Sequence, residues 1–152
     1  MSTVDLGAIR TALAAQQTTG NTGVAATADA SGLDAIGSLP AIKVVSATTV
    51  AINEGRGGRN FAQTESREVR VVGVLLVDAS AGKNHAIARA EPYVEGAFAA
   101  CRTGFGLGLD YVEDSWLDSA EIGEVDYLGE TFHGAVLNWV IWVRQTDLNR
   151  TA

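Results

Sequence analysis

Cysteine occurs once, at Cys101, so the chain holds no internal disulfide and its cysteine usage gives no sign of secretion. Lysine occurs only at Lys43 and Lys83, and 18 acids outweigh 11 basic residues for a net charge of -7 and a pI of about 4.7. Affinity for phosphates comes from Lys and Arg, so this balance argues against a protein that wraps DNA. Histidine is confined to His85 and His133, and Cys101 has no CxxC partner. A metal site needs several ligands at recognisable spacing, and none is present, so each histidine reads as structural or superficial. No run reaches the roughly 18 apolar residues of a membrane span, and no basic region with a long apolar core marks a signal peptide at the N-terminus. The expectation is an intracellular or assembly-borne soluble domain. A length of 152 residues fits one domain, 1–152, large enough to bury its own core.

Against these shortages stands one long apolar stretch, residues 127–144, YLGETFHGAVLNWVIWVR. From Phe132 its residues alternate between two sets, and aromatic and β-branched residues of this kind fit a pleated, packed surface. Both sets stay apolar towards the C-terminal end. This predicts one face under the domain's own helices and the other reserved for a partner. Trp139 and Trp142 fall on opposite faces: both are candidates for the interface, one suiting the core and the other an exposed anchor, and cover of both by the domain's own helices is the plain alternative.

The rest of the chain supplies the layers. Residues 3–16 read as a helix capped by Ser2 or Thr3, with Asp5 in its first turn and Leu6, Ile9 and Leu13 as its apolar stripe. Residues 21–38 read as a loop, with a short strand at 24–27. A strand at 39–53 places Ile42, Val44, Ser46, Thr48, Val50 and Ile52 on one face, and Pro40 stands at its start. A second strand at 67–77 places Val69, Val71, Gly73, Leu75 and Val77 together. Between them EGRGGRNFAQTES, 54–66, is a glycine-rich loop closing a long hairpin. Residues 83–102 form a second helix through Ile87, Ala90, Val94, Phe98 and Cys101, kinked or divided at Pro92. Residues 109–126 carry one or two edge strands, and 146–152 a flexible tail. Antiparallel strands with a long hairpin and two helices packed on one face make an α+β domain.

No segment offers positive evidence of catalysis. TGFGLG at 103–108 misses the third glycine of a dinucleotide fingerprint and follows a helix, so it reads as a helix stop. Asp110, Glu113, Asp114, Asp118, Glu121, Glu124 and Asp126 are strung through a strand–turn region at mixed spacing. Acid–base work needs carboxylates that split each other's pKa, so a solvated acidic face is the simpler reading. Arg56, Arg59, Arg67 and Arg70 fall within fifteen residues around the glycine-rich loop, beside Phe61. Guanidinium groups there suit docking onto an acidic neighbour, and a solvated hairpin tip is the plain alternative.

The layout resembles a known class. VDLGAIRTALAA, LPAIKVVSATTVAI, REVRVVGVLLVD, AIARAEPYVEGAFAA and, most sharply, VDYLGETFHGAVLNWVIWV run in the order found in tail terminator (tail completion) proteins of tailed bacteriophages. The resemblance covers residues 3–145. It implies an α+β fold and a hexameric ring that caps the head-proximal end of the tail tube, ends tube growth and meets the head–tail connector or stopper. It implies a place in the virion after assembly in the host cytoplasm, no cofactor, no catalytic residues and no membrane contact. DNA would pass through the lumen without specific binding, and Asp110, Glu113, Asp114, Asp118 and Glu121 are candidates for an acidic lining or partner face. The low proline content of 21–38 and the glycine-rich 54–66 depart from the family pattern. Two other readings stay open: another neck, connector or tail-tube subunit, and a small intracellular ligand-binding or enzymatic domain, which would need a pocket with convergent polar groups.

Overall fold

Asp5 starts the first helix. Its backbone is extended and its Oδ1 accepts a hydrogen bond from the Ala8 amide at 3.1 Å, satisfying a donor that the helix leaves unpaired. The Tyr111 hydroxyl lies 3.3 Å from both the amide and the carbonyl of Asp5 and ties the cap to the sheet. The structure, a computed structural model, describes residues 4–28, 39–51, 64–78, 82–102, 104 and 106–146. Helix α1 is Leu6–Gly20, starting later and ending later than the sequence pattern indicates, because Asp5 and not Ser2 or Thr3 is the cap. Ile9 and Leu13 are fully buried, as the stripe requires, and Ala14 and Gln17 are buried beside them.

The sheet has five strands: β1 (Ala25–Ala28), β2 (Ala41–Ala51), β3 (Thr64–Val77), β4 (Val112–Tyr127) and β5 (Glu130–Thr146). Their order is β1-β2-β3-β5-β4, antiparallel throughout except for the parallel β1–β2 pair. The long final strand is therefore an interior strand, paired along both edges by β3 and β4. Residues 109–126 give one long edge strand, β4. The 54–66 loop and the 146–152 tail fall almost wholly outside the described residues, as does most of 21–38.

Helix α2 (Lys83–Cys101) follows β3 as one unbroken helix, with Pro92 inside it on the exposed side. Its buried line is Ala86, Ala90, Val94, Ala97 and Cys101, so Ile87 and Phe98 flank the contact and do not centre it. The small residues let the helices approach closely. A Cβ on Gly20 would lie 2.8 Å from Ala100 Cβ, and one on Gly96 would collide with Asn21 Oδ1. Asn21 Nδ2 donates to the Tyr93 carbonyl at 2.9 Å and Gln17 Nε2 to the Ala97 carbonyl at 3.3 Å, so both buried amides are satisfied.

Both helices cover the same face. One cluster joins Ile9, Leu13, Ala90 and Val94 to Ile42, Val44, Val69, Val71, Leu75, Leu137, Trp139 and Ile141. Strand β3 presents the face expected of it. Strand β2 does not. A bulge at Val45 shifts the pairing from Val44↔Gly73 to Ser46↔Val72, so Ser46 and Thr48 turn away from the helices and Ala47 turns towards them. The Val50 side chain and Ile52 lie outside the described residues.

Candidate interaction surface

The second face of the sheet is what distinguishes the molecule. Rows of residues run across β3, β5 and β4 in register: Leu76–Gly134–Gly123, Val74–Val136–Glu121, Val72–Asn138–Ser119, Arg70–Val140–Trp116 and Glu68–Trp142–Asp114. Near the β4–β5 turn this face is closed. Val74, Leu76, Val125 and Tyr127 are buried, with Leu39, Phe132 and Val136 packed on them. Asn138 Nδ2 donates to Ser119 Oγ at 3.1 Å in the middle row. Beyond that pair the face opens: Trp116 is 37 % exposed and Trp142 is half-buried. A depression of about 440 Å³ lies there, lined by Ser66, Glu113, Asp114, Trp116, Trp142 and Arg144.

The two predicted anchor tryptophans separate as their spacing requires. Trp142 stands on the open face. Trp139 is fully buried under the helices, so its expected interface role is corrected: it is a core residue. Trp116, one diagonal step from Trp142 across β4–β5, is the aromatic that sequence reasoning left aside.

Of the four arginines two are described, Arg67 and Arg70, and they lie on opposite faces of β3. Arg56, Arg59 and Phe61 lie outside the described residues. Arg67 shares the helix-side register of Val69, whereas Arg70 is on the open face in an ion pair with Glu68. Arg144, beside the depression, pairs with Glu113 at 3.1 Å. The acids do not line one face either. All seven are exposed, but bulges between Val112 and Asp114 and between Leu117 and Ser119 break the alternation of β4. Asp110 sits in the preceding turn and Glu113 and Asp118 fall at the bulges. Asp114 and Glu121 face the open side, while Glu124 and Asp126 take the helix-side register. Asp114 Oδ1 accepts from the Ser115 amide at 2.9 Å, and no ion pair to it is found among the described residues.

The β4–β5 turn consists of Leu128 (φ 54) and Gly129 (φ 80), both left-handed, as a two-residue hairpin loop requires. Asn or Asp is usual at the first position. Leu128 instead combines an unfavourable backbone with 47 % exposure at the tip.

Two further grooves, about 490 and 320 Å³, run along α1 and are lined mainly by Ala, Gly and Thr. Among the described residues no group of three His, Cys, Asp or Glu could hold a metal ion. His85 is exposed and His133 half-buried. Cys101 is buried between α2 and the sheet. Burial raises its thiol pKa, while the Trp139 indole and the Leu117 backbone pull weakly the other way. No described helix is long and apolar enough to cross a membrane. No protein-family model matches the sequence, and comparison with curated proteins gives no significant match.

Proposed function

We propose that the chain is a structural virion protein, a ring subunit that caps the head-proximal end of a phage tail tube, ends tube growth and joins the tail to the head connector. The observation that carries this reading is the asymmetric second face of the sheet. Half of it is sealed by the chain's own Leu39, Phe132, Val136 and Tyr127, and half presents Trp116 and Trp142, flanked by Glu113, Asp114 and Arg144, to solvent. Exposed aromatics rimmed by polar groups are the composition of an interface centre. The segment VDYLGETFHGAVLNWVIWV, which carries the resemblance to tail terminators, contributes Val125, Tyr127, Phe132 and Val136 to the sealed half and Trp142 to the open one.

A closed ring needs two different surfaces that fit head to tail. The sheet has two unlike edges to support this. One is β4, sixteen residues long and bulged. The other is β2, which extends past the four-residue β1 from Val45 to Ala51. The hexamer, the tube protein and the head-proximal stopper are the partners of this reading, and DNA is a passenger. The test is mass in solution by light scattering, with and without purified tail tubes. A single closed ring, free or formed on the tubes, is expected. Open-ended polymers would favour a tube subunit.

A further inference from the structure

We propose that the Trp116–Trp142 depression is a guanidinium site, filled by an arginine of segment 52–63 from a neighbouring copy of this chain. The proposal rests on the ring reading above and names the contact that closes the ring.

The chemistry of the site selects a cation. Two indoles stand one diagonal step apart on an open face, and aromatic faces attract cations within about 6 Å of the ring centre. Asp114 stands directly across from Trp142, and among the described residues its carboxylate accepts only the local Ser115 amide. The local cations are already matched, Arg70 by Glu68 and Arg144 by Glu113. Asp114 is therefore the carboxylate of the depression that a further cation would satisfy. A planar guanidinium both stacks on an indole and bonds a carboxylate, which an ammonium does less well.

The chain's own composition and topology supply the occupant. Nine of its eleven basic residues are arginines, and Arg56 and Arg59 fall in the twelve residues between Ala51 and Thr64. Those two strand ends lie at the same end of the sheet as the depression. Ala51 pairs with Arg67, which pairs with Val143, and Ser66 on β3 lines the depression itself. In a cyclic ring equivalent points of every copy lie at one height. A segment leaving one sheet at that height is therefore level with its neighbour's depression, and twelve residues span up to about 40 Å when extended.

Acrylamide quenching of tryptophan fluorescence tests this directly, because Trp139 is fully buried and the quenchable signal comes from Trp116 and Trp142. In the dilute monomer both indoles are quenched, and on ring formation quenching falls severalfold. Arg56→Ala with Arg59→Ala, and separately Trp116→Ala with Trp142→Ala, weaken association about tenfold, and the quadruple variant weakens it no further than either pair, as one shared contact requires. Asp114→Asn, which changes no volume, weakens it severalfold and guards against misfolding of the larger replacements. Rings whose indoles remain accessible overturn the site and leave the ring reading standing. Indoles already shielded in the dilute monomer overturn it in favour of the chain's own segment. A chain that stays monomeric with and without tubes overturns both.

Discussion

Gly73 is the space that Trp139 occupies. A Cβ on Gly73 would lie 2.7 Å from Cζ3 of the indole and 3.0 Å from the Lys43 carbonyl oxygen. The largest buried side chain of the core therefore rests on the absence of a side chain two strand positions along the neighbouring strand. Gly73→Ala should destabilise the fold by about 1–3 kcal/mol, as overpacking does, and Trp139→Ala by about 3–5 kcal/mol. Urea denaturation reads both. Pairing Gly73→Ala with Trp139→Phe should recover part of the loss, and strict additivity would contradict the contact.

The Cys101 thiol gives stability a pH dependence at the alkaline end. Burial holds its folded pKa above the ordinary thiol value. A group whose folded pKa is raised contributes stability that is complete below the unfolded pKa and is lost as pH rises above it. The unfolded thiol ionises near 8.5, so stability should begin to fall above about pH 8.5. Tyr111, whose pKa burial also raises, steepens the fall at higher pH. Cys101→Ala should flatten the first part of the curve in denaturation series from pH 7 to 10. An unchanged slope would show that the thiol is not the source.

The Leu128 backbone is strained at the tip of the hairpin. Replacing it with Asn, which tolerates φ near +54, should raise stability by about 1 kcal/mol in the isolated chain. A thermal melt checks it. If the exposed Leu128 is a contact of the assembled ring, the same variant gains stability alone and loses association, and a melt paired with a tube-capping assay separates the two effects.

Arg56→Glu with Arg59→Glu should block assembly on tubes and leave the monomer's far-UV circular dichroism and melting temperature unchanged. Charge reversal opposite Asp114 repels where the native pair attracts, at a cost of about 2 kcal/mol or more in a partly desolvated contact. Normal capping by this variant would remove these arginines from the account.

Period-two alternation placed the core face of β3 and the two alternating sets of β5, because burial on a pleated sheet writes itself into every second residue. The helices were legible from Ile9 and Leu13 and from Ala90 and Val94. What escaped was whatever a single inserted residue decides. The bulge at Val45 turned Ser46 and Thr48 outward, and the two bulges of β4 scattered the seven acids over a turn, the bulge positions and two faces. The pairing of Trp116 with Trp142 depends on the register across a sixteen-residue strand containing both bulges, which no local pattern fixes. Nor could the flanking residues say which of Trp139 and Trp142 is the core residue, since both lie among β-branched neighbours. The decision belongs to Gly73, whose missing side chain opens room on the helix side only.

A subunit that caps the tube, as proposed, stops at one ring. Light scattering of the purified protein, alone and mixed with tail tubes, measures it most directly. The account predicts a single closed ring, present in solution or formed once per tube end, with no growth beyond it as protein is added. A monomer indifferent to tubes, or polymers that lengthen with concentration, would contradict it.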